Sequence, residues 1–356
     1  MFDFLIIGGG MAGISTAARL APLGKTLVLE METGLGYHAS GRSAALYEAQ
    51  YGEASTVVMN LWGRGFFEEN DLLSPRGFMV LAPKDDPDGF REAVNTFGGT
   101  ELSFQEAQNV VPILNPDHLG FAALSNEAYD IDTDRMLQLF AKTLRSSGGE
   151  IRFNSKVSAI TRTNTGWQIS AGDQVYETKM LINAAGAWVD QIAALAGQPP
   201  MGIIPKRRSM ARIPPPGGHD VSSWPMLMDA REAWYAKPDA GKLIVSPADE
   251  DPQEPHDAWA DDMVLAEGIA RYQPFVTEEV TRVESSWAGL RSFAPDKNLV
   301  LGPSTTEPSF FWVAGQGGYG IQSAPGYSQY AADLIAGRPS ELAEIEPAVT
   351  PARFGL

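Results

Sequence analysis

The chain opens with an apolar strand, a glycine cluster, a helix and a second apolar strand, and few folds accommodate that order. Phe4-Leu5-Ile6-Ile7 has no polar residue on either face, the pattern of a strand covered on both sides in a parallel sheet. It stops at Gly8-Gly9-Gly10-Met11-Ala12-Gly13, a G-x-G-x-x-G arrangement on Gly8, Gly10 and Gly13. A helical pattern follows with Ile14, Ala17, Leu20 and Leu23 on one face, and Gly24 is expected to end it in a left-handed conformation. Thr26-Leu27-Val28-Leu29 then reads as a second strand ending on Glu30. Gly8 suits the tight turn, Gly10 a close approach of backbone N–H groups to a pyrophosphate, and Gly13 close packing of helix on strand. Glu30 stands 17 positions past Gly13, near the spacing of about 20 at which an acid accepts from an adenosine ribose. A secretory leader needs a cationic start, whereas the first charged side chain here is Asp3. The stretch is a dinucleotide site.

A chain of 356 residues exceeds one ordinary core, so two domains are expected. Its 27 basic and 44 acidic residues give a net charge of −17, which opposes nucleic acid or an anionic membrane as partner. No apolar run approaches the roughly 18–20 residues of a membrane span. With no cysteine, disulfides, thiolate metal sites, Cys nucleophiles and attachment of a cofactor through sulfur are excluded. The four histidines (His38, His118, His219, His256) lack ligand spacing, so no metal is expected. A cytoplasmic location is the default, with peripheral docking at the inner membrane left open.

Beyond Glu30, the small residues from Gly34 to Ala45 form a loop that begins a helical turn and lets a flat ligand lie against backbone. Helices are expected over 56–70, 86–98 and 134–146, the last with Met136, Leu137, Phe140 and Leu144 inward and a cap near Asp132 or Thr133. Strands are expected at 77–81, 151–153, 156–161, 167–170, 174–177 and 180–183, with a three-stranded meander in the middle. From Met201, Pro-rich segments introduce alternating runs at 224–228, 233–236 and 242–246, a mainly antiparallel sheet whose last hairpin turns at Asp239-Ala240-Gly241. Strands at 299–302 and 310–314 return to the character of the opening, and Gly315 to Gly320 leads into a final helix over 323–336. The fold class is therefore α/β: a Rossmann-like dinucleotide domain with a mixed or antiparallel substrate domain.

The opening motif with Glu30, followed by Tyr37-His38-Ala39-Ser40-Gly41-Arg42-Ser43-Ala44-Ala45, resembles the FAD-binding start of the D-amino acid oxidase-like flavoproteins. Within them it is most similar to the bacterial D-amino acid dehydrogenases, D-arginine dehydrogenases above all. The likeness continues through Leu72 to Arg76, Ile131 to Asp134, Asn183 to Trp188, Pro205 to Ser209, Lys237 to Gly241, Trp287 to Phe293 and Gln316 to Gln322. It implies FAD, held noncovalently in the absence of cysteine. The implied cofactor residues begin with Gly8, Gly10, Met11, Ala12, Gly13 and Glu30. Ser40, Arg42, Ser43, Ala44 and Ala45 follow from the next loop, and Val157, Ala185, Gly186 and Trp188 from the middle. The late contacts are Arg291, Gly317, Gly318, Tyr319, Gly320 and Ile321. The implied FAD-binding domain spans 1–45, 130–205 and 288–356, and the substrate-binding domain 46–129 and 206–287.

The implied reaction is oxidative deamination of a D-amino acid, with hydride passing from Cα to the flavin and the imine then hydrolysed. Arginine suits a substrate carboxylate because its planar fork binds both oxygens. The resemblance assigns that grip to Arg208 and Arg291, with Tyr51 and Tyr235 as hydroxyl donors and backbone near Gly289 and Gly318 receiving the amine. Two positions depart from the D-arginine dehydrogenase pattern. Phe78 stands where a glutamate would face the guanidinium, and Leu46 where a histidine would stand near the amine. Weak activity on D-Arg and better activity on apolar D-amino acids are expected. Glu48, three residues before Tyr51, is a candidate replacement carboxylate from a segment that could act as a lid. Electrons are expected to pass to a quinone or other acceptor rather than to O₂. A secondary-amine oxidase for sarcosine- or proline-like substrates is the alternative; it would keep both arginines. A nicotinamide enzyme would not need Arg42 to Ala45, and a non-catalytic flavoprotein would not need the arginines and tyrosines.

Overall fold

The computed structural model describes residues 1–355. The first sheet is built around the opening strand, Phe2–Ile7, which pairs in parallel with Thr26–Leu29 on one side and with the end of Gln174–Asn183 on the other. Glu150–Arg152 extends it beyond Thr26–Leu29, and Phe310–Ala314 pairs in parallel with the last residues of Gln174–Asn183. Alternate residues of the central strands enter different cores. Ile6, Val28 and Ile182 pack under the helices, while Leu5, Leu27 and Leu181 pack with the meander, Trp167 and Trp312. That is why the opening strand reads as apolar on both faces.

The helix Met11–Leu20 lies against Thr133–Ser146 and Ala324–Ile335. It ends at Leu20, and its C-cap is Ala21. Two expectations fail here for the same reason. Leu23 lies beyond the helix end, where its side chain is 41% exposed, and Gly24 is not left-handed. Gly24 is instead tight against Asp3, where a Cβ would sit 2.8 Å from the Asp3 Cβ. The Thr133–Ser146 helix is capped by Asp132, whose side chain accepts from the Arg135 N–H. The strands expected at 174–177 and 180–183 are one strand, Gln174–Asn183, antiparallel to Gly166–Ala171 at its start and parallel to Phe2–Ile7 along most of its length.

The second sheet runs in the order 285–293, 204–213, 242–246, 235–239, 226–229, 78–83, 119–125, 100–102. Its ladders are antiparallel except where Met226–Asp229 lies parallel to Phe78–Pro83. Asp239-Ala240-Gly241 makes the expected hairpin turn, with positive φ at Ala240 (48°) and Gly241 (75°). Ile204 to Arg212 pair with the whole of Ser285–Phe293, which places Arg208 opposite Gly289 and Lys206 opposite Arg291. A small third sheet joins Leu46–Tyr47, Tyr129–Ile131 and Leu73–Pro75.

Residues 247–261 form an irregular strap from the second sheet to the helix Asp262–Tyr272. Its carboxylates meet the basic run of Ile204–Ile213: Glu250 pairs with Lys206 and Arg208, and Asp249 and Asp251 pair with Arg207. Further along, Asp257 pairs with Arg42 at 2.5 Å.

Candidate active site

Two cavities meet between the sheets. The larger runs along the carboxyl ends of Phe2–Ile7 and Thr26–Leu29 and holds about 1640 Å³ of free space, its mouth included. Its lining passes from Glu30, Met31 and Val157 through the Gly8–Ala12 turn to Arg291 and Gly318, an arrangement that suits a long ligand such as a dinucleotide. Gly8 and Gly13 are mutually required, since a Cβ on Gly13 would lie 1.9 Å from the Gly8 carbonyl oxygen. Gly13 lines neither cavity and serves this packing. Gly10, the N-cap, has no side chain to offer, and Ser40 supplies the missing acceptor by taking the Met11 N–H at 2.9 Å. The next two N–H groups of the first turn, on Ala12 and Gly13, have no protein acceptor among the described residues. Two free donors at a helix N-terminus suit a pyrophosphate. Glu30 is buried at the end of its strand, with Oε2 accepting from the Gly9 N–H at 2.6 Å and Oε1 from the Glu32 N–H at 2.8 Å. These bonds fix the carboxylate at the cavity wall.

Most residues expected to hold the cofactor line this cavity: Gly8, Gly10, Met11, Ala12, Glu30, Ser40, Arg42, Ser43, Val157, Ala185, Gly186, Trp188, Arg291, Gly317, Gly318, Gly320 and Ile321. Arg42 borders the cavity, but its guanidinium is committed to Asp257 and to the Ala258 and Ala288 carbonyls. Ala44, Ala45 and Tyr319 line the smaller cavity instead. The Tyr319 hydroxyl donates to the Lys297 carbonyl at 2.7 Å. Met31, Lys156 and Gln191 also line the larger cavity and had no local signal in the sequence.

The smaller cavity, about 720 Å³, gathers Leu46, Glu48, Tyr51, Phe78, Arg208, Tyr235, Arg291 and Gly318 from six separate stretches of chain. Gly289 is the one expected substrate residue missing from it; the backbone places Gly289 on the larger cavity. Five residues line both cavities: Ser43, Arg208, Arg291, Gly318 and Ile321. The two guanidinium groups therefore stand where the cavities join.

Arg291 donates to the Tyr51 hydroxyl at 3.3 Å. Gly318 permits that approach, because a Cβ there would lie 2.8 Å from the arginine Nη1. Arg208 is buried, donating through Nε to the Asp249 carbonyl at 2.9 Å and through Nη2 to Glu250 at 3.1 Å. The strap thus orients it. Tyr235 donates to the Met210 thioether at 3.3 Å. Ala45 holds a left-handed conformation (φ 52°), a strained geometry for a residue with a Cβ, where the chain turns between the two cavities. The same cavity has an apolar wall, with Phe78 against Phe97 (centroids 5.3 Å apart) and Met226 and Met228 lining it as well. Phe97, Met226 and Met228 escaped sequence reasoning because nothing in their local pattern separates a pocket wall from core. Burial raises the Glu48 carboxyl to about 7.

Residues 3–334 match the model of the family described as DAO, FAD dependent oxidoreductase. Among curated relatives, FAD-dependent oxidoreductase domain-containing protein 1 of Bos taurus is 25% identical, over 94% of this chain and 81% of that protein. Among solved structures, L-proline dehydrogenase from P. horikoshii superposes with a TM-score of 0.83 at 20% identity, covering 99% of this chain and 97% of that one. Glycine oxidase from Geobacillus kaustophilus does so with a TM-score of 0.80 at 20% identity, covering 96% of each. These structural likenesses establish the fold.

Proposed function

The chain belongs to the FAD-dependent oxidoreductase (DAO) family, and from that premise we propose that it dehydrogenates small D-amino acids with apolar side chains. When bound, FAD supplies the acceptor for the hydride leaving the substrate carbon. The residues that would hold it are the first turn at Gly10 to Gly13 for the pyrophosphate, Glu30 for the ribose, and the Ser43 and Gly317 to Ile321 backbone for the ring. What carries the reading is the junction itself, where Arg208 and Arg291 both border the cofactor cavity and the substrate cavity. Their forks match a carboxylate, and Tyr51 and Tyr235 add hydroxyls beside it. A carboxylate held there fixes the α-carbon toward the cofactor cavity, and a positioned reactant needs no further search for geometry.

The apolar wall sets the preference. A guanidinium buried against Phe78 without a partner would cost roughly 2–5 kcal/mol, so D-Leu, D-Met and D-Phe are favoured over D-Arg. Transfer of the electrons to a quinone or other acceptor rather than to O₂ is part of the same reading. A secondary amine would use the same clamp, and the L-proline dehydrogenase of the same fold is the observation favouring that second reading. No helix among the described residues is long and apolar enough to cross a membrane; the cytoplasm, with peripheral contact at the inner membrane, is the proposed location.

The test is anaerobic. Purified flavoprotein is mixed with D-, L- and N-methyl amino acids and its visible absorbance followed. Bleaching by D-leucine, D-methionine or D-phenylalanine is expected. Bleaching by proline and N-methyl compounds alone would establish the second reading, and a spectrum unmoved by any amino acid would overturn both. Turnover with oxygen against a dye acceptor then separates oxidase from dehydrogenase.

A further inference from the structure

Tyr51 belongs to the clamp, yet it lies on a segment with neither helix nor strand. Residues 48–53 join the short strand Leu46–Tyr47 to the helix Ala54–Glu69. The Tyr51 N–H closes a turn on the Glu48 carbonyl at 3.0 Å. That bond uses neither the Glu48 N–H nor the Tyr51 carbonyl, and one side chain takes both. Gln322 accepts from the Glu48 N–H through Oε1 at 2.9 Å and donates through Nε2 to the Tyr51 carbonyl at 3.1 Å. A carboxamide suits the task because it offers an acceptor and a donor from one planar, uncharged head. Asn60, wholly buried on the following helix, adds bonds to the Ala49 carbonyl at 3.1 Å and the Tyr51 carbonyl at 3.3 Å.

Gln322 is itself held still. It is 3% exposed and follows Ile321, one of the five residues that line both cavities. The segment before it is pinned repeatedly. The Gly317 N–H donates to the Ser292 carbonyl at 2.8 Å, the Ser323 N–H to the Tyr319 carbonyl at 3.1 Å, and the Tyr327 hydroxyl to the Gly320 carbonyl at 3.0 Å. Gly317, Gly318, Gly320 and Ile321 of that segment border the cofactor cavity. At the other end of the chain of contacts, the Tyr51 hydroxyl accepts from Arg291, so its own proton is available to a carboxylate. The Tyr51 ring also meets the Tyr319 ring edge-on, with centroids 5.9 Å apart. The cofactor seat thus reaches Tyr51 twice, at its ring through Tyr319 and at its backbone through Gln322.

Resting on the amino-acid reading above, we propose that Gln322 is a positioning residue for substrate binding. It latches the turn at 48–51 to the segment that seats the cofactor ring, and so sets the Tyr51 hydroxyl beside Arg291. A segment with the look of a lid is therefore fastened at its centre. Methionine at position 322 keeps the length of the side chain and removes both the donor and the acceptor. The Glu48 N–H then loses its partner, and the Tyr51 carbonyl keeps only Asn60. The turn stays attached to its helix through Asn60, and the arginines are untouched. What is lost is the placement of one hydroxyl, and with it the share of carboxylate binding which that hydroxyl supplies.

Two measurements on the holoenzyme test this. The first is amide hydrogen exchange over residues 48–53. The Glu48 N–H should be protected in wild type and exchange about tenfold faster in Gln322→Met. Exchange at the unprotected rate in wild type overturns the latch without need of a variant. The second is titration with isocaproate, which has the carboxylate and side chain of leucine and no α-amine to oxidise, read from the flavin absorbance. Gln322→Met should retain its flavin and bind isocaproate about tenfold more weakly. In a Tyr51→Phe background the same substitution should cost nothing further, because the hydroxyl it positions is already gone. An equal loss in both backgrounds, or no loss in either, overturns the proposal while the amino-acid reading stands. If Gln322→Met does not fold, Gln322→Glu, which keeps the acceptor and loses the donor, takes its place in the same cycle. If isocaproate does not bind wild type, the arginine clamp falls, and the service of Gln322 to it falls too, whatever the exchange rates are.

Discussion

Arg208 meets the solvent-shielded cavity with its fork partly committed. Nε and Nη2 are held by the strap, and Nη1 makes no hydrogen bond among the described residues. Arg291 is freer, with the Tyr51 hydroxyl as its hydrogen-bond partner. A lysine at either position keeps the charge and loses the second donor. Arg291→Lys is therefore expected to lower kcat/KM by about 100- to 1000-fold, or ~3–4 kcal/mol, with the flavin spectrum retained. Stopped-flow reduction measures it. Glu48 makes a separate prediction about stability. Its folded value of about 7 lies above the ordinary 4.5, so its burial has no ionisation penalty below about pH 4.5. The penalty grows until about pH 7. Wild type and Glu48→Gln should respond alike to urea at pH 4, and the variant should be the more stable by up to ~3 kcal/mol at pH 8. An unchanged difference across that window would show that Glu48 is not desolvated.

Elements were legible in the sequence wherever one segment carries its own instructions. Gly8, Gly10, Gly13 and Glu30 lie within one supersecondary unit, and each has a local steric or polar reason. Gly13→Ala should accordingly yield colourless protein or none, because the added methyl meets the Gly8 carbonyl at 1.9 Å; absorbance near the flavin bands and a thermal melt test this together. What escaped was non-local. Gln174–Asn183 reads as two strands because its partner changes from a solvent-facing hairpin to a buried parallel neighbour, and its composition changes with it. Gly24 looks like a helix stop, yet the helix ends sooner and the glycine makes room for Asp3. The strap was invisible because Asp249, Glu250, Asp251 and Asp257 look like a solvated acidic run until Lys206, Arg207, Arg208 and Arg42 are brought beside them. Asp257→Ala should release the strap from Arg42 and weaken FAD retention severalfold, more so at low salt where the pair counts most. Dilution-dependent loss of flavin, followed by fluorescence, reads that directly.

At the scale of the molecule a bound cofactor would contribute to stability as well as to chemistry. A ligand that binds only the folded chain stabilises it by about 4 kcal/mol at a thousandfold excess over its Kd, so stripping FAD should lower the melting temperature measurably, and adding it back should restore the loss. The arginines, tyrosines, Phe78 and Glu48 could be anticipated as one set only through the family resemblance; taken alone, each arginine reads as a surface ion pair and each tyrosine or phenylalanine as core. The rest of the apolar lining could not, since Phe97, Met226 and Met228 are indistinguishable from core until the sheet is assembled.

Five residues bordering both cavities have a consequence for how such a chain can diversify. A change at Ser43, Arg208, Arg291, Gly318 or Ile321 alters the seat of cofactor and substrate at once, so it risks the reaction itself. Phe78, Phe97, Glu48, Met226 and Met228 line the smaller cavity alone. On the proposed function, substitutions there are expected to change which compound enters while leaving the chemistry intact. Descendants of this chain are free to explore new diets at that end, provided the junction stays as it is.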